Sequence, residues 1–182
     1  ARALAEHTGS RIRLSTKAIV GASTKGLAGQ VDAMFVAGPP PDAAVIMIGA
    51  NDVTALHDIG GSAQLLHAVV KRLRASGAAV IVATCPDLGV VSAIPQPLRW
   101  VARTRSRRLA RAQTHAVKAA GGITVPFLDL REFRQAREPL LARDQYHPSA
   151  AGYALAAGFT TIGILGELVS IGTLLAFVIV SI

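Results

Sequence analysis

The sequence predicts a three-layer α/β/α sandwich around a mostly parallel sheet, with an apolar helix at its carboxyl end. Three observations carry this expectation. Short apolar runs rich in β-branched residues alternate with segments of helical spacing, which is the pattern of βαβ units. Two of the runs, "DAAVIMIG" and "AAVIVATC", are almost continuously apolar, as parallel strands covered on both faces must be. The helical segments each close near a glycine, the residue that most readily ends a helix.

Taken in order, "IRLSTKAIV" predicts a strand over 12–20, and "STKGLAGQVDAMFVAG" a helix after it. "GPPPDAA" is a turn, since consecutive prolines cannot continue a helix. Strands follow over 43–48, 78–84 and 123–128, separated by the helical "GGSAQLLHAVVKRLRASG" and by an arginine-rich helix. No internal repeat or low-complexity tract interrupts them. With 182 residues and 51% apolar composition, one domain with a full core is expected, over residues 1–157, followed by a separate apolar segment over 158–182.

The net charge of +8 is concentrated in "RWVARTRSRRLARAQTHAVKAAG", where Arg99, Arg103, Arg105, Arg107, Arg108 and Arg111 crowd one helix. The expected reading is a solvated face. A nucleic-acid stripe would interleave stacking aromatics, and Trp100 stands alone there, so nucleic acid is not the expected partner. The single cysteine, Cys85, forms no internal disulfide and suggests no thiolate metal site, and it is expected as a buried residue at a strand end.

Sites in such folds form at the carboxyl ends of the strands, where three stretches fall. In "IVGAST", Gly21 is expected to follow a strand, with Ser23 or Thr24 capping the next helix. In "MIGANDV", Gly49 permits a tight turn, Asn51 presents an amide, and Asp52 supports the turn. In "RDQYHPSAAGY", Asp144 stands three residues before His147 and Pro148, a pairing that can hold an imidazole in one tautomer for use as a general base. Each stretch alone reads equally well as a turn or a cap.

Their order and spacing resemble the later sequence blocks of the SGNH (GDSL-type) hydrolases, whose fold is flavodoxin-like. The resemblance covers residues 1–157. It implies a carboxylic-ester hydrolase, an esterase or lipase working by serine acyl transfer on a small-molecule or lipid ester, with no metal or cofactor. It further implies His147 as general base, Asp144 as its orienting carboxylate, and Gly21 and Asn51 as oxyanion donors. One departure is severe: no Gly-Asp-Ser occurs in the sequence. The resemblance therefore places the nucleophilic serine upstream of Ala1, while Ser23 and Ser149 read as helix caps. The competing expectation is a catalytically dead, membrane-tethered α/β binding module or a fusion fragment.

The tail "FTTIGILGELVSIGTLLAFVIVSI", residues 159–182, carries one charge, Glu167. As a helix it would span about 36 Å, more than the roughly 30 Å hydrocarbon core. Its apolar residues lie on every face rather than on one stripe, so a transmembrane helix is expected, and with it association with a bacterial inner membrane. As a core helix the tail would instead leave the chain cytoplasmic. Through "GELVSIGTLLAFVIVSI" it also resembles one membrane helix of bacterial cationic amino-acid transporters.

Overall fold

Continuous apolar runs form the sheet, and the computed structural model describes the chain through residues 9, 11, 13, 15–91 and 93–126. Strands β1 (Ala43–Met47), β2 (Ala79–Ala83) and β3 (Ile123–Val125) lie side by side in that order. All pairings are parallel, with Ala43 opposite Ala79 and Ile81 opposite Ile123. The helices are α1 (Leu27–Ala37), α2 (Ala50–Thr54), α3 (Ile59–Ala75) and α4 (Leu98–Ala119), with short 3-10 turns at Thr24–Gly26 and Leu88–Val90.

Successive strand residues point to opposite faces. Ala44, Ile46, Val80 and Val82 meet Leu27, Val31 and Met34 of α1, Leu66, Val69, Val70 and Leu73 of α3, and Val117 of α4. The opposite face carries Val45 and Ile81, buried beside Val125. Helix α3 earns its place by an apolar stripe at Leu66, Val69, Val70 and Leu73, the spacing of one helical face. It starts where the Asp58 side chain accepts from the Gly61 N–H at 2.5 Å, an N-cap that satisfies an otherwise orphan donor. Each fully buried leucine contributes about 1.5–3 kcal/mol through removal from water.

The predicted parallel sheet is present, and three of the four predicted strands form. Among the described residues of 12–20 no strand forms: residues 15–19 are irregular, and Val20 and Gly21 lie in a turn closed by the Ala22 N–H on the Ile19 carbonyl at 3.1 Å. Ile19 is 57% and Val20 93% exposed. Strand propensity reflects the fit of branched side chains to a half-buried pleat, and these two side chains are largely exposed. Residues of α1, α3 and α4 pack on the face of Ile46 and Val82, while Ala50 and Val53 of α2 pack with Cys85 and Leu109. The end of the fourth predicted strand at 127–128 and the apolar tail lie outside the described residues. Among the described residues no helix is long and apolar enough to cross a membrane.

Candidate functional site at the carboxyl end of the sheet

Strand β1 runs out at Met47, and the chain turns through Ile48 and Gly49 into α2. Gly49 has φ 131°, a region that side chains other than hydrogen rarely adopt. Space is equally restrictive, because a Cβ there would lie 2.8 Å from Cys85 Cβ and 2.9 Å from Gln113 Nε2. The Gln113 side chain, 0% exposed, passes through that gap. Its Oε1 accepts from the Cys85 N–H at 2.7 Å, and its Nε2 donates to the Ile48 carbonyl at 3.1 Å. One amide thus ties α4 to the ends of both β1 and β2. This residue was missed in the sequence, although it had a signal: Leu109, Gln113 and Val117 form the buried face of α4, and a glutamine on an apolar stripe implies a buried partner.

The tight turn at Gly49 delivers Asn51 and Asp52 to the segment after Gly21. Asn51 Nδ2 donates to the Ala22 carbonyl at 2.8 Å. Asp52, 1% exposed, accepts from the Thr24 N–H at 3.0 and 3.2 Å and from Thr24 Oγ1 at 3.0 Å. It also accepts from Ser62 Oγ at 3.0 Å and faces His57 Nδ1 at 3.3 Å. Asp52 therefore does more than support its own turn: it reaches a segment 28 residues earlier. The expected capping by Ser23 or Thr24 is not found. Ser23 makes no side-chain cap, and the Thr24 hydroxyl donates instead to the buried Asp52 carboxylate, a charge-assisted bond. Gly21 has φ 76° with open space around it, so its glycine is required by backbone conformation alone.

The return of His57 to Asp52 depends on Leu56, whose φ is 53° and which reverses the chain so that the His57 N–H meets the Asp52 carbonyl at 2.9 Å. From the other side Arg105 Nη2 donates to the His57 carbonyl at 2.7 Å. The arginines of α4 are thus only partly the solvated face expected. Arg99 Nε donates to the Ile94 carbonyl at 2.8 Å, and Arg103 and Arg107 pair with Asp87 at 3.7 and 3.0 Å. Arg103, Arg107, Arg108 and Arg111 are exposed as expected, the last two without a partner among the described residues. The helix is basic on the outside because its buried stripe is Ser106, Leu109, Gln113 and Val117. Cys85 is buried at the end of β2, as expected. Burial first, then the Asp52 and Asp87 carboxylates, push its thiol well above the ordinary range, which keeps it a neutral hydrophobe rather than a nucleophile.

The structure brings Gly21, Gly49, Asn51 and Asp52 together at one end of the sheet. Asp144 and His147, the expected base and its partner, lie outside the described residues. Among the described residues no group of His, Cys, Asp or Glu side chains could hold a metal ion.

A family model of GDSL-like lipases and acylhydrolases matches residues 1–155. The chain belongs to the GDSL-like lipase/acylhydrolase family. This GDSL-like chain is 69% identical over 159 residues to a GDSL-like esterase of Mycobacterium tuberculosis, covering 86% of the chain and 51% of that relative. It thus spans about half the length of the curated protein it matches. Solved structures share its fold. The psychrotrophic esterase EstA of a Pseudoalteromonas species superposes with a TM-score of 0.71 at 20% identity, covering 92% of this chain and 84% of that one. An acetylxylan esterase of Geobacillus stearothermophilus superposes with a TM-score of 0.58 at 22% identity, over 76% and 66% of the two chains. At these identities the likeness is one of fold.

Proposed function

We propose that this chain carries the oxyanion-stabilising and acid–base parts of a serine ester hydrolase. The observation that carries the reading is the Asn51 side chain, anchored by one N–H to the Ala22 carbonyl beside Gly21. A primary amide has two N–H donors, so the second remains for a substrate oxygen. A neutral amide and a backbone N–H stabilise a developing oxyanion without titrating, and one such donor lowers the barrier by about 3–4 kcal/mol. Family membership supports the ester as substrate class, and the esterase relative of half-matched length supports the same reaction.

In this reading a serine Oγ attacks the ester carbonyl while His147 takes its proton, and Asp144 holds the imidazole. The carbonyl oxygen becomes the oxyanion, held by Gly21 N–H, Asn51 Nδ2 and the serine N–H. Collapse breaks the ester C–O bond, His147 returns the proton to the departing alcohol, and water then releases the acid by the same route. Since no Gly-Asp-Ser occurs in these 182 residues, the serine is assigned to a strand preceding residue 1. Residues 159–182 are assigned to a membrane, and resistance of the chain to carbonate extraction, lost on cutting after Ala157, is the expected behaviour.

The test is hydrolysis of p-nitrophenyl acetate by the chain extended at its amino end with a strand ending in Gly-Asp-Ser. The extended protein should turn over ester and label with a fluorophosphonate, and the 182-residue chain should do neither. Asn51→Ala should lose roughly a hundred- to a thousand-fold in turnover, and His147→Ala nearly all of it. Robust turnover that survives His147→Ala would place the site elsewhere and sink the assignment.

A further inference from the structure

We infer that Asp52 is a positioning residue of the oxyanion-stabilising segment, acting through Thr24 and Asn51 rather than on the substrate. The inference rests on the ester-hydrolase reading. Two consecutive side chains of α2 grip two backbone groups that flank Ser23: Asn51 holds the carbonyl at Ala22, and Asp52 holds the N–H at Thr24. The segment that follows Gly21 is thereby fixed in register with the helix that presents Asn51. Gly21 is the chain neighbour of Ala22, and Asn51 itself makes one arm of the clamp, so the two oxyanion donors are coupled through it.

The chemistry at position 52 calls for a carboxylate. An ionised carboxyl group only accepts hydrogen bonds, at about four lone-pair sites, and every partner here can donate: the Thr24 N–H, the Thr24 and Ser62 hydroxyls, and His57 Nδ1. An isolated buried charge is costly unless it is ligated throughout, so a carboxylate 1% exposed with this many donors is held in one place. Asparagine at 52 would offer one acceptor oxygen and turn an N–H₂ toward donors, releasing either Thr24 or the Ser62–His57 side.

A merely structural carboxylate and a positioning one differ in what they change. Contacts made in the transition state and not in the ground state alter kcat and leave KM in place. In the serine-containing extended chain, Asp52→Asn should lower kcat on p-nitrophenyl acetate about 10- to 100-fold with KM within about twofold. Thr24→Val, which keeps the backbone N–H and loses only the hydroxyl, should lower it by a few-fold. Asp52→Asn combined with Asn51→Ala should lose less than the product of the single losses, since the first acts through the second. In the 182-residue chain, Asp52→Asn should speed hydrogen exchange at the Thr24 amide while α3 amides stay protected.

Unchanged kcat in Asp52→Asn would overturn the inference. So would a loss that multiplies fully with Asn51→Ala, or one that merely follows the folded fraction in urea. If the extended wild-type chain neither hydrolyses ester nor labels, the ester-hydrolase reading itself fails. Exchange at Thr24 still decides then whether the clamp exists.

Discussion

The face of the sheet beneath α1 and α3 and the carboxyl end of the same strands are held by opposite physics. Ile46, Val80 and Val82 pack against Leu66, Val70 and Leu73, an arrangement that asks only for apolar side chains of the right volume. A few residues further along, the chain is fixed by Gln113 on Ile48 and Cys85, and by Asn51 and Asp52 on Ala22 and Thr24. Those contacts are directional, and each leaves a buried donor or acceptor stranded if its partner is lost. The core therefore supplies most of the stability, whereas the polar end fixes the backbone directionally.

If that division is right, the largest effect on stability belongs to the core. Leu66→Ala, at a fully buried site, should cost about 2–5 kcal/mol, read as a fall in the urea midpoint. Gly49→Ala comes next, at roughly 3 kcal/mol, from backbone strain at φ 131° and contacts of 2.8–2.9 Å for the added Cβ. A fully tolerated alanine would mean that Gln113 can leave the gap, which would undo the contrast. Gln113→Leu should cost about 2 kcal/mol despite similar volume, because the Cys85 N–H and Ile48 carbonyl lose their partner. A neutral outcome would show that the amide staple is dispensable.

The smallest effect is a pH dependence. Since the folded state holds the Cys85 thiol above its ordinary range, the unfolded chain ionises first. The associated stability is complete below the unfolded value of about 8.5 and is lost as pH rises beyond it, by up to about 1.4 kcal/mol per pH unit. Comparing urea midpoints at neutral and alkaline pH, the wild-type chain should lose more than Cys85→Ala. Equal losses would mean that the thiol is less enclosed than its place between β2 and α4 implies.

Much of this was written in the sequence. Continuous apolar runs at Ala44–Ile46 and Val80–Val82 and the helical spacing of α3 specify parallel strands and a covering helix, because burial is non-directional and periodic patterns report it. The turns at Gly21 and Gly49 and the chemistry of the Asn51 amide were legible because backbone conformation and side-chain chemistry are local properties. Only the tertiary structure decided the rest. It denied a strand to Ile19 and Val20, since branched side chains form a strand only where a neighbour exists to pair with and pack on. It moved Thr24 from cap to clamp and Asp52 from turn former to the centre of a network that reaches 28 residues back along the chain. It also set Gln113 in the space that Gly49 leaves open. Directional contacts between residues far apart in the chain leave no periodic trace in it. Which donor meets which acceptor is settled only once packing has brought their backbones within reach.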